Sequence, residues 1–132
     1  MSNYKVLLID DDPDFISSMK IILEKAGFEF TSARTARDGI KLLRKSIEKK
    51  SQPDVILCDM MMEDVDSGNI VASYLKTTKT DIPIFLLSSI GDVTTTVTDI
   101  VKKGFAGAIQ KPVNPPHIIS LIHRRLQIKK IM

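Results

Sequence analysis

Four stretches of this chain place a carboxylate, a hydroxyl or an ammonium directly after an apolar run. Asp10, Asp11 and Asp12 follow "KVLLI" (5–9), and Asp59 follows "VILC" (55–58). Ser88 follows "IPIFLL" (82–87), and Lys111 follows "FAGAIQ" (105–110). An acid at the mouth of a buried strand needs a charged partner or a metal, because an unpaired buried charge is costly. Several carboxylates at one place repel one another unless a cation sits among them. A hard divalent ion with oxygen ligands fits best, and Mg²⁺ needs only one or two carboxylates besides waters and a phosphate. Asp59 beside such an ion is placed to act as a nucleophile toward phosphorus. The negative charge that develops would fall beside Mg²⁺, the Ser88 hydroxyl and the Lys111 ammonium, each of which stabilises it.

That chemistry works only if the four runs end at the same edge, and the periodicity says that they do. After the first apolar strand comes "PDFISSMKIILEKAG", with Phe15, Met19, Ile22 and Leu23 at helical spacing. Asp12 can cap this helix, Pro13 can open it and Gly27 can stop it. A strand near 28–33 follows, then a helix capped by Thr35 with Asp38 and striped by Ile40, Leu43 and Ile47. The strand at 54–58 leads to a helix over Ser67–Thr78 that should bury Ile70, Val71, Tyr74 and Leu75. The strand at 82–87 leads to a fourth helix from about Asp92, whose "VTTTVT" is β-branched and helix-poor. The strand at 105–110 leads to a fifth helix, opened by Pro115 and Pro116, with Ile118, Ile119, Ile122 and Leu126. Five βα units imply an α/β fold: a doubly wound five-stranded parallel sheet of order 2-1-3-4-5, helices on both faces. In that order the switch point lies between the first and third strands, where Asp10, Asp11 and Asp59 meet.

The bulk properties agree with one compact domain. The chain has 132 residues, 43% of them hydrophobic and 27% charged, which suits a single core. One cysteine, Cys58, cannot form an internal disulfide, so a reducing, cytoplasmic setting is expected. No apolar run is long enough to span a bilayer. The net charge is +3, with bases gathered in "KLLRKSIEKK" and "HRRLQIKKIM". No aromatics interleave with them, so direct nucleic-acid binding is not expected. Cys58 reads as a core cysteine, and His117 and His123 as helix faces without partners at metal-ligand spacing.

"VLLIDDDPDF", "VILCDMMMEDVDSG", "IPIFLLSS" and "GAIQKPV" resemble, in order and spacing, the four signatures of response-regulator receiver domains of two-component signalling. The resemblance spans essentially the whole chain and implies a single receiver domain over 1–132 with a flavodoxin-like three-layer sandwich. It implies Asp59 as phosphoacceptor, with Asp11, Asp59 and the Met61 backbone carbonyl on Mg²⁺ and Asp10 reaching the ion through water. Ser88 would be the switch hydroxyl and Lys111 the partner of the phosphoryl group, with a cis Lys111–Pro112 bond. The implied partners are a sensor histidine kinase or phosphotransfer protein, and a homodimer or effector through the fourth and fifth helices. Apolar Ile118, Leu121, Ile122, Ile128 and Ile131 on the last helix exceed one core stripe, which suits such a surface.

Three positions depart from the family's pattern. Glu63 stands where proline is usual, Ser67 where glycine is usual, and Ala108 where an aromatic usually swings inward on activation. The output is therefore expected to travel through 89–104. The leading reading is a phosphorylation switch that catalyses only its own phosphorylation and dephosphorylation. A second is a Mg²⁺-dependent phosphohydrolase of the haloacid-dehalogenase type, whose D-x-D spacing Asp10 and Asp12 satisfy. It leaves Asp59 unexplained, and 132 residues leave no room for a cap domain. A third is an interaction module that works without phosphorylation.

Overall fold

A computed structural model describes residues 4–59, 67–78, 80–88 and 105–131. Within them the elements run β1 (Lys5–Ile9), α1 (Pro13–Lys25), β2 (Glu29–Ala33), α2 (Ala36–Glu48), β3 (Val55–Asp59) and α3 (Ser67–Thr78). They continue with β4 (Ile84–Ser88), β5 (Gly107–Gln110) and α4 (Pro115–Ile131), the last being the fifth helix of the sequence reading. The helix expected from Asp92, together with Met61, Glu63 and the 89–104 segment, lies outside the described residues. All strands pair in parallel in the order β2-β1-β3-β4-β5, as the sequence predicts.

Alternation along each strand splits the core into two layers, one on each face of the sheet. Leu7, Ile9, Ile56, Cys58, Ile84 and Leu86 pack with Leu43 of α2 and with Val71 and Leu75 of α3. Val6, Leu8, Val55, Leu57, Phe85 and Leu87 pack on the other face with Met19 and Leu23 of α1 and with Ile118, Ile122 and Leu126 of α4. Each fully buried aliphatic side chain contributes about 1.5–3 kcal/mol, so the two layers dominate the fold's stability.

Local chemistry sets where the helices begin. The Asp12 carboxylate accepts from the N–H groups of Asp14 (3.0 Å) and Phe15 (3.4 Å), with Pro13 in the first turn. Thr35 Oγ1 accepts from Asp38 N–H at 3.0 Å, and Asn114 Oδ1 accepts from His117 N–H at 3.1 Å. Gly27 (φ 93°) takes the left-handed conformation after α1, which glycine adopts without a Cβ penalty.

Several sequence expectations shift. β4 begins at Ile84 rather than 82, because Pro83 has no N–H to enter the ladder, and it extends to include Ser88. β3 includes Asp59, and β5 is shortened to Gly107–Gln110 with Phe105 buried just before it. Ile70 is 41% exposed rather than buried. The inward face of α3 centres on Val71, Ala72 and Leu75, and at 100° per residue Ile70 falls on its outer flank. In α2 the buried line runs through Ala36, Gly39 and Leu43, with Ile40 and Ile47 half-buried beside it.

Candidate functional site

Strand register brings the chemical groups level at one edge. Ile9 pairs with Cys58, so Asp10 and Asp59 emerge side by side from β1 and β3. Ser88 pairs with Gln110 at the ends of β4 and β5, and Lys111 follows, its N–H donating to the Ser88 carbonyl at 2.7 Å. The Lys111–Pro112 peptide is cis.

Carboxylate oxygens of Asp10, Asp11 and Asp59 lie within 4.8 Å of one another. Asp10 is fully buried, Asp59 is nearly so, and Asp11 is exposed at the mouth. Both oxygens of Asp10 are occupied: Oδ1 accepts the Asp12 N–H at 2.9 Å, and Oδ2 accepts Lys111 Nζ at 2.8 Å. The ammonium also lies 3.6 Å from Asp59 Oδ2. Burial pulls the Lys111 pKa down, but the hydrogen bond and charge of Asp10, together with Asp59, outweigh it and lift the pKa above the ordinary lysine value. The Cys58 thiol is pushed up to about 12, first by burial and then by the Asp59 and Asp10 charges. Its position inside β3 makes it an inert core residue, as its apolar setting predicts.

Three carboxylates supplying only oxygen atoms suit a hard divalent cation such as Mg²⁺. Asp10, Asp11 and Asp59 are the side chains that could hold such an ion, with Asp11 the exposed member at the mouth. Met61, the expected carbonyl ligand, lies outside the described residues.

Lys111 has one further neighbour. Phe15, in the first turn of α1, holds its ring 4.3 Å (centroid) from Lys111 Nζ. Its place in the α1 apolar stripe disguised it as core. The available signal was its position, a large aromatic four residues after Asp11 on a helix capped by Asp12.

A family model described as the response regulator receiver domain matches residues 6–123. The chain belongs to the response-regulator receiver family. The receiver is 33% identical over 124 residues to the transcriptional regulatory protein PrrA of Mycobacterium leprae, covering 94% of this chain and 49% of that protein. It is 29% identical over 109 residues to the two-component response regulator ARR11 of Arabidopsis thaliana, covering 83% of this chain and 20% of that protein. The receiver thus spans about half or less of the length of these curated relatives. Among solved structures, a response regulator receiver domain protein from Clostridium thermocellum is similar at a TM-score of 0.81 and 26% identity, covering 97% of this chain and 98% of that one. Receiver domains are signalling switches rather than turnover enzymes. Among the described residues of this receiver, no helix is long and apolar enough to cross a membrane.

Proposed function

We propose that this receiver domain takes a phosphoryl group onto Asp59, from a histidine kinase, a phosphotransfer protein or a small phosphodonor, and thereby alters a protein-interaction surface. The observation that carries the reading is the convergence of Lys111 on Asp10 and Asp59 at the edge where the three carboxylates cluster. Asp59 attacks phosphorus through a carboxylate oxygen. The bond from phosphorus to the donor nitrogen or oxygen breaks, and the donor leaves with the bonding pair. Lys111 shares its ammonium between Asp10 and the incoming phosphoryl oxygens, and Ser88, closing β4, offers its hydroxyl as a donor. Mg²⁺ held by Asp11, Asp59, the Met61 carbonyl and, through water, Asp10 would neutralise charge on the carboxylates and the phosphoryl group.

Output would then proceed without an aromatic swing at position 108, since Ala108 has only a methyl group on the exposed face of β5. We assign the output to the 89–104 segment and to α4, where a second copy or an effector would dock. Setting the fold in a cytoplasmic two-component pathway, with residues 1–132 as one domain, completes this reading. The phosphohydrolase alternative makes Asp10 the nucleophile, and Asp10 is fully buried with both oxygens engaged.

Incubation with acetyl phosphate and Mg²⁺, followed by mass spectrometric location of the adduct, tests the proposal. One phosphate on Asp59 is expected, absent in EDTA and absent in Asp59→Asn. Uptake by Asp59→Asn at the wild-type rate would show that the acceptor lies elsewhere.

A further inference from the structure

Lys111 reaches the site from the far strand β5 on a flexible four-carbon stem, so something must define where its ammonium stands. Asp10 supplies one fixed partner at 2.8 Å, and Asp59 lies 3.6 Å away. The Phe15 ring closes a third side, with Nζ 4.3 Å from its centroid. The lysine side chain is only 18% exposed as a result of this enclosure. A short chain of backbone bonds ties the ring to the acids. Asp10 Oδ1 accepts from Asp12 N–H, and Asp12 Oδ1 in turn accepts from the N–H groups of Asp14 and Phe15. The element that caps α1 therefore also sets the ring over the lysine.

The choice of an aromatic ring has a chemical consequence. A third carboxylate would hold the ammonium as firmly, but it would neutralise it and compete with a phosphoryl oxygen for the same N–H groups. A ring face attracts the cation through its quadrupole while carrying no net charge. It orients the ammonium and leaves its full charge for the incoming group. A leucine would fill similar space but offer no such attraction.

We infer that Phe15 is a positioning residue for Lys111, its ring face holding the ammonium within reach of both Asp10 and a phosphoryl group on Asp59. The inference rests on the reading of Asp59 as phosphoacceptor. Phe15→Leu removes the π face at little change in apolar volume, while Phe15→Trp and Phe15→Tyr keep it. Phe15→Leu should slow acetyl-phosphate-dependent labelling of Asp59 by roughly two- to thirtyfold, the range of a cation–π contact expressed as a rate ratio. Mg²⁺ affinity should stay unchanged, and Phe15→Trp should recover most of the rate. A role in packing alone predicts the opposite ordering, because the larger indole would disturb the core more than leucine does. A second measurement needs neither metal nor phosphate. In the wild type, the Lys111 Hε protons should carry an upfield ring-current shift in the NMR spectrum, and Phe15→Leu should abolish it. Wild-type labelling kinetics in a folded Phe15→Leu protein overturn the inference, and so does the absence of a ring-current shift in the wild type. Loss of labelling at Asp59 in the wild type itself would instead sink the phosphoacceptor reading, with the ring-current result still deciding the Phe15–Lys111 contact.

Discussion

Replacing Lys111 by methionine keeps the apolar stem of the side chain and removes the ammonium with its charge and its hydrogen-bond donors. Asp10, fully buried, would retain the Asp12 N–H at 2.9 Å and lose its 2.8 Å ammonium partner. Asp59 would lose the same cation at 3.6 Å, so the cluster of Asp10, Asp11 and Asp59 would become more negative. Deleting one member of a buried ion pair costs ~3–5 kcal/mol, because the remaining charge stays desolvated. The surviving backbone hydrogen bond and the exposure of Asp11 at the mouth favour the lower end, about 3 kcal/mol. For a domain of this size that is a fall in Tm of roughly 10 °C. Urea unfolding followed by circular dichroism in EDTA at neutral pH measures it. The metal dependence sharpens the test. With no ammonium at Asp10 the site is more negative, so millimolar Mg²⁺ should raise the midpoint of Lys111→Met more than that of the wild type, through preferential binding to the folded state. A variant as stable as the wild type in EDTA, or one that gains no more from Mg²⁺, would refute the view that Lys111 compensates buried carboxylate charge.

Two further outcomes follow from single contacts. A Cβ at Gly39 would stand 2.5 Å from Ile9 Cδ1 and 3.0 Å from Ile9 Cγ1, inside a packed layer. Gly39→Ala should therefore destabilise by about 1 kcal/mol, with overpacking of ~1–3 kcal/mol exceeding a helix-propensity gain of ~1 kcal/mol. A rise in the denaturation midpoint would mean that Ile9 gives way freely. Cys58, fully buried and with its thiol pushed up to about 12, should resist alkylation at mildly alkaline pH in the native protein and react fully once unfolded in urea. Rapid native labelling would contradict that placement.

The sequence was most informative where one physical rule acts alone. Continuous apolar runs at 6–9 and 55–58 mark strands covered on both faces, and the buried Asp10 and Asp59 that follow them need a charged partner. The edge strands were legible as short segments between helices, although β5 begins at Gly107 rather than 105. Legibility failed where two rules compete. Helical spacing at Ile70 and Val71 suggested a shared buried face, but only the packing of α3 on the sheet decides which flank faces inward. Apolar content suggested a strand from Ile82, and the missing N–H of Pro83 moved it. Phe15 satisfied the periodicity of a core residue, and only its position four residues after Asp11 set it near the site, where it stands over Lys111.

The ion pair between Lys111 and Asp10 joins residues 101 positions apart. A chain leaving the ribosome from its N-terminus presents Asp10, Asp11 and then Asp59 long before the lysine that balances them exists. Non-local pairings of this kind form late and slowly, after the loop-closure cost of the intervening chain has been met. The acids stand beside the centre of the sheet, and their counter-charge comes from the end of β5, the last of the described strands. A chain lacking β5 would hold mutually repelling carboxylates where β1 and β3 end. The charge balance of this cluster thus depends on β1 and β5, which β3 and β4 separate in the sheet order.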